Sequence, residues 1–181
     1  FHTNPPEIIV EQLIVDKTEW VGKVVGAYSA SALLSNRDSI YLKLKNPAVS
    51  VGDRFAIFSD RGPVQVPGEF ERFMGKHIRL KGFAEVIKVE GNAVVAKIYD
   101  ASMNIQVGDP IAPLSEVQVK LAPKQPKKMI RGRVIQGAND GALIGPFDTA
   151  FINRGTRDGL ELNDRLFVYR TSELSEEITS E

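Results

Sequence analysis

Only two histidines, His2 and His77, could act as a general base in this chain. A Ser-His-Asp triad needs an imidazole held between a nucleophile and a carboxylate. His2 sits at the terminus. His77, between Lys76 and Arg79 at the start of a strand-like run, reads as a surface or turn residue. There is no Gly-x-Ser-x-Gly elbow, and no Walker loop or Gly-x-Gly-x-x-Gly after a strand. Glycan hydrolysis needs two carboxylates about 5–9.5 Å apart with one pKa raised. Glu69 with Glu71, or Asp38 with Asp53, are nominal pairs among 23 acidic residues that read mostly as solvated surface. With no cysteine, thiolate metal sites, disulfides and Cys nucleophiles are ruled out. The expectation is no catalytic residue, no cofactor and no metal site.

A different constellation recurs. Val51-Gly52-Asp53-Arg54, Val107-Gly108-Asp109-Pro110 and Leu162-Asn163-Asp164-Arg165 each place an apolar residue, Gly or Asn, then Asp. Gly or Asn takes the left-handed backbone of a tight turn, and Asp accepts hydrogen bonds from nearby amides. Gly52, Asp53, Gly108, Asp109, Asn163 and Asp164 therefore read as structural turns into a following strand.

The elements around these turns are strands. Val and Ile total 33 against 13 Leu, a balance that suits a pleated, half-buried surface. Strands are predicted over Glu7–Val15, Val21–Tyr28, Ser39–Leu44, Arg54–Ser59, Ile78–Val89, Ala93–Tyr99, Val117–Leu121, Ile130–Gln136 and Arg165–Arg170. A hairpin is expected at Val89-Glu90-Gly91-Asn92-Ala93. At most one or two helical turns are expected, over Glu69–Met74.

Residues 21–43 align without gaps on 131–153: Gly22 on Gly132, Val24 on Val134, Leu33 on Leu143, Asp38 on Asp148. After one inserted residue, Phe55-Ala56-Ile57-Phe58 aligns on Leu166-Phe167-Val168-Tyr169. The predicted organisation is mainly β, with two or three small barrel or sandwich modules, the first and last sharing a fold. Residues 1–115 hold a first unit (about 20–60) with a second packed on it (about 77–113), joined through the Gly/Pro-rich stretch Arg61–Gly75. A Pro/Lys linker follows over 116–128, then a C-terminal unit over 129–171. The acidic tail, 172–181, lacks a core-forming face and is expected to be disordered.

The 181 residues carry 23 basic and 23 acidic side chains, so net charge is zero. That counts against a small barrel that binds nucleic acid, which needs a basic face. No stretch approaches the 18 apolar residues of a membrane span. The chain starts at Phe1, as expected of a processed form or a fragment.

Asn153-Arg154-Gly155-Thr156-Arg157-Asp158-Gly159-Leu160, continuing to Leu166, resembles a signature in the C-terminal region of bacterial LysM-domain envelope proteins. That group includes the type IV pilus secretin-associated (TsaP-like) proteins, whose C-terminal part is similar to the C-terminal domain of the flagellar outer-membrane-ring protein FlgT. Val51–Phe58 with Arg61-Gly62-Pro63, Pro67-Gly68-Glu69 with Met74-Gly75 and Leu80–Val86, and Ile105–Pro113 resemble further segments of the family in the same order. The resemblance covers about residues 20–170. The chain lacks the βααβ pattern of a LysM module, and Asn163 stands where the family usually has Gly.

The resemblance implies a non-enzymatic accessory or structural protein of the periplasm, associated with an outer-membrane secretin or ring protein. Peptidoglycan would be held through a LysM module not in this chain. A flagellar or general envelope scaffold is the alternative. No nucleic acid and no transmembrane segment are expected. The loop Asn153–Asn163 is charged, whereas Lys43–Gly52 in the first unit is less so. Arg154, Arg157, Asp158 and Glu161 are therefore the candidate partner-binding residues, with bidentate arginine contacts to carboxylates as the chemistry; the other reading is a turn that merely connects two strands.

Overall fold

A computed structural model describes residues 7–29, 33–46, 48–66, 73–91, 93–114, 118–120, 122–138 and 143–170. The chain is mainly β, with strands β1 (Glu7–Ile9), β2 (Gln12–Val15), β3 (Gly22–Ala27), β4 (Ser39–Leu44), β5 (Arg54–Gln65), β6 (Phe73–Glu90), β7 (Ala93–Tyr99), β8 (Pro110–Pro113), β9 (Gln118–Lys120), β10 (Val134–Gly137) and β11 (Ala150–Ile152). A short 3-10 turn covers Thr156–Asp158. Among the described residues no helix is long and apolar enough to cross a membrane. The helical turn expected over Glu69–Met74 falls mostly outside the described residues, and Phe73 and Met74 lie in β6.

One antiparallel sheet runs β6-β5-β8-β3-β4-β7, and β7 pairs back onto β6, so six strands close a ring. β2 lies alongside the first half of β6, Gln12 opposite Arg79. The ring encloses Val24, Leu34, Ile40, Leu42, Ile57, Val86, Ala96, Ile98, Ile105 and Ile111. The alternation along β5 sends Phe55 and Ile57 inward, while Ala56 and Phe58 join a second cluster with Ile78, Leu80, Phe83 and Ala112, capped by Trp20. Both faces of β5 are thus buried, which is why its sequence reads as a continuous apolar run.

The predicted first and second units are therefore not one module packed on another. They are two interleaved halves, β3-β4-β5 and β6-β7-β8, of one ring. β4 pairs β7 with Ile40 opposite Ala96 and Tyr41 opposite Val95, and β5 pairs β8 with Ala56 opposite Ala112 and Phe55 opposite Pro113. One displacement of 56 residues carries Ile40 to Ala96 and Ala56 to Ala112, so each ladder maps onto itself about a local twofold axis. Gly52 N–H donates to Val86 O and Val86 N–H to Asp53 O. Their counterparts are Gly108 N–H to Val24 O and Val24 N–H to Asp109 O, all at 2.8–2.9 Å. A bulge follows both Val24 and Val86. The halves differ in their hairpins, whose registers are offset by two residues.

The stretch Arg61–Gly75 is not a simple connection. β5 runs on to Gln65 and β6 begins at Phe73, forming a long hairpin arm with Pro63 opposite Lys76. The 116–128 segment is not a free linker either. β9 pairs β1, Glu7 opposite Lys120, and Lys124 forms a parallel bridge with Asp164.

The C-terminal unit repeats the turn-proximal part of the β3-β4 hairpin in the same register. Val134 opposes Ile152 as Val24 opposes Leu42, and Gly137 opposes Ala150 as Ala27 opposes Ile40, with the bulge at the same place. Tyr28 N–H to Ser39 O becomes Ala138 N–H to Thr149 O. Arg37 and Phe147 both carry positive φ, 75° and 69°. The strand expected over Arg165–Arg170 is absent, because no strand among the described residues lies beside it to form a ladder.

Burial does not follow the repeat. Val24 and Ile57 are fully buried, whereas Val134 is 41 % and Val168 84 % exposed. Leu33 and Leu143 are both exposed; the buried neighbour in the first unit is Leu34, bonded to Ile105.

Candidate interaction site

Among the described residues, the Asp turns are one device used six times. Asp38, Asp53, Asp109, Asp148, Asp158 and Asp164 each accept, through Oδ2, the backbone N–H three residues earlier, at 2.7–2.9 Å. Each also donates its own N–H to the carbonyl of that residue, at 2.9–3.2 Å. In five of the six the preceding residue has positive φ: Arg37, Gly52, Gly108, Phe147 and Asn163. This is the backbone of a type II turn, closed at both ends by the aspartate. The nominal carboxylate pair Asp38 and Asp53 is thus occupied in two separate turns, and Glu69 with Glu71 lies outside the described residues.

Asp109 differs from Asp53 in one respect. Its Oδ2 also accepts Lys81 Nζ at 2.7 Å, with both side chains about nine-tenths buried. The Lys81 carbonyl accepts the Ser102 and Met103 amides. A buried ion pair satisfied this way fixes geometry more than it adds stability.

The candidate loop begins at Asn153, which is buried and pinned to β10's approach: Asn153 Oδ1 accepts Arg133 N–H at 2.8 Å, and Asn153 N–H donates to Arg133 O. Gly132 lies beside it because a Cβ there would come within 2.8 Å of Arg154 Cγ. Arg154 Nη1 donates to Asn153 O at 2.8 Å and its Nε lies 3.9 Å from Asp158. The 3-10 turn is capped by Gly155 N–H on Asp158 and ends at Gly159, φ 92°.

The four candidate partner residues are brought onto one loop, and each is engaged within the chain. Arg157 Nη2 meets Asp16 at 2.6 Å, in a pair more than half exposed on both sides. Glu161 bonds Lys124, and Lys127 at 2.6 Å. These two ammonium groups hold its carboxyl down to about 2. Lys124 also bonds through its backbone, receiving Arg165 N–H and donating to Asn163 O, so the loop and the lysine-rich segment form one unit. The Asp164 carboxyl is buried, and its Oδ1 lies 3.9 Å from Lys124 Nζ.

His77 is not the surface or turn residue that Lys76 and Arg79 suggest. It is buried in β6, its Nε2 lies 2.9 Å from Gln12 Oε1, and its ring meets Phe151 edge-on at 4.9 Å. It joins β2, the barrel and β11, a role its charged sequence neighbours concealed. His2 lies outside the described residues. Among the described residues no group of three His, Cys, Asp or Glu could hold a metal ion. An open cleft of about 550 Å³ lies between Trp20 and the end of β4, lined by Glu19, Leu44, Lys45, Val49 and Phe55. No family model, curated protein or solved structure matches the chain.

Proposed function

We propose that this chain is a non-enzymatic scaffold of the bacterial periplasm, associated with an outer-membrane secretin of the type IV pilus. In this reading it links that ring to the cell wall through a LysM module outside these residues. The observation that carries the proposal is the Asn153–Leu166 stretch, whose residues resemble the secretin-associated family. The arrangement of that stretch supports it. Its backbone is fixed by Asn153, Asp158 and Asp164, while the Arg157 guanidinium stands on the surface in a solvent-screened pair that a partner carboxylate can replace. Preorganised backbone with an exchangeable arginine suits recognition of a carboxylate-bearing ring, where repetition adds avidity.

The test is capture of secretin from outer-membrane extracts by the immobilised chain, compared with Arg154→Ala/Arg157→Ala. Secretin retained by the wild type and lost by a folded double variant is the expected result. Equal capture makes the loop a connector. Capture of a flagellar ring protein and no secretin moves the assignment to the flagellar scaffold. Retention of the chain on purified sacculi, or release of muropeptides from them, would overturn the non-enzymatic, LysM-dependent reading.

A further inference from the structure

Among the described residues, the C-terminal unit has the pattern of one half of the first ring. The first ring shows what one β-β-turn-β half requires: a second such half, related by a local twofold, with β4 against β7 and β5 against β8. The C-terminal unit reproduces the first half through hairpin, bulge, Asp turns and positive-φ positions, and no second half lies against it among the described residues. Among the described residues, the Lys124 backbone bonds the start of the β5 counterpart, at Asn163 and Arg165, whereas residues 166–170 and the outer edge of β11 carry no ladder.

The inward-facing positions have kept their apolar character but not their burial. Phe55 is 9 % exposed and its counterpart Leu166 42 %; Leu34 is 1 % exposed and its counterpart Ile144 44 %. Val134 and Val168, the counterparts of the buried Val24 and Ile57, are exposed as well. The opposite face of the hairpin is covered, since Phe151 is buried against His77. An apolar face open on one side only, bordered by a strand edge without a ladder, is a docking surface for a matching sheet.

We infer that this face is closed by the same unit of a second copy of the chain, giving a six-stranded barrel shared between two protomers. The template is internal and explicit. Because the 56-residue displacement maps each closing ladder onto itself, two identical halves satisfy it through an exact twofold. Ala150, the counterpart of Ile40, then lies opposite Ala150 of the second copy, and Phe167, the counterpart of Ala56, opposite Phe167. Val134, Ile144, Leu166 and Val168 become the interior. The inference is independent of any secretin association, since it concerns the chain alone.

The chain has no cysteine, so single-cysteine variants report the geometry directly. Directly opposed residues of an antiparallel pair have Cβ atoms about 4.5–5.5 Å apart, and a disulfide bridges such a spacing with small adjustment. The purified chain should have twice the 20.0 kDa protomer mass by light scattering. Ala150→Cys should form a disulfide-linked dimer under mild oxidation, while Leu143→Cys, on the exposed loop away from the axis, should not. Val168→Glu, at a position exposed in the protomer, should leave the first barrel's unfolding transition in place and reduce the mass to that of one chain. A wild-type chain that stays monomeric at high micromolar concentration overturns the inference. A dimer that Val168→Glu does not dissociate overturns it as well, and so does a disulfide that forms in the Leu143→Cys variant and not in the Ala150→Cys variant.

Discussion

Ile40 and Ala96 face each other across the β4–β7 ladder, and the local twofold of the barrel passes between them. Both are fully buried. Neither half can therefore complete its interior alone, because each supplies the wall that covers the other. Ile40→Asp should accordingly unfold both halves together. Amide exchange should rise in β3 and in β7 alike, whereas two independent modules would lose protection on one side only.

The paired Asp turns allow a graded comparison. Asp53→Ala removes one side-chain bond to an exposed amide and should cost about 1 kcal/mol. Asp109→Ala removes the same bond and strands Lys81 beneath the surface, so about 3–5 kcal/mol is expected. Urea titrations of the two variants measure the difference. Equal midpoints would mean that Lys81 reaches water when its partner is gone.

Arg37 holds φ 75° with an exposed side chain, a conformation glycine adopts without steric cost. Arg37→Gly should stabilise the chain by about 0.5–1 kcal/mol, while Gly52→Ala at φ 96° should destabilise it by a similar amount. Thermal unfolding of the pair should show shifts of opposite sign.

Glu161 titrates near 2, below its ordinary range, because Lys124 and Lys127 favour the carboxylate. A lowered carboxyl pKa contributes stability above the unfolded value, and this is lost as pH falls from about 4.5 towards 2. Carbon-13 titration of the carboxyl should show the low midpoint. Glu161→Gln should remove that part of the acid dependence, and added salt should weaken it because the site is exposed.

Tyr99 stacks on Phe83, and its hydroxyl is buried with no hydrogen-bond partner among the described residues. Burial raises its pKa, so the fold favours the neutral phenol and loses stability as pH rises above about 10. Tyr99→Phe should be neutral or slightly stabilising near pH 7 and should flatten the alkaline limb. A loss above about 1 kcal/mol would show that the hydroxyl is satisfied after all.

Local structure was legible in the residues. Ser39–Leu44 and Ala93–Tyr99 are strands over the residues their alternation marks, and the Gly-Asp and Asn-Asp steps are turns because left-handed backbone and an acceptor three residues on have few other uses. Closure was not legible. β8, Pro110–Pro113, has four residues and two prolines, and it is a strand only because β3 and β5 flank it. Arg165–Arg170 has the apolar pattern of β5 without its neighbours and forms no ladder. Pattern reports which residues can pair, and the partner decides whether they do. For the candidate loop, the arginines stood out as types, but the engagement of Arg157 by Asp16 joins residues 141 apart, and no local signal announces it.

The seam between β3 and β8 sets Gly22 opposite Ile111 and so joins points separated by roughly ninety residues of chain. By the logarithmic law for loop closure, tying those points together costs about 4 kcal/mol of chain entropy beyond the constant term. Little of that is repaid until β5 and β7 are also in place. The ring should therefore fold slowly for its size, in the millisecond-to-second range of high contact order. A growing chain cannot close it before β8 has emerged from the ribosome. Until then the valines and isoleucines of β3, β4 and β5 remain without their cover, a window in which a chaperone has something to hold.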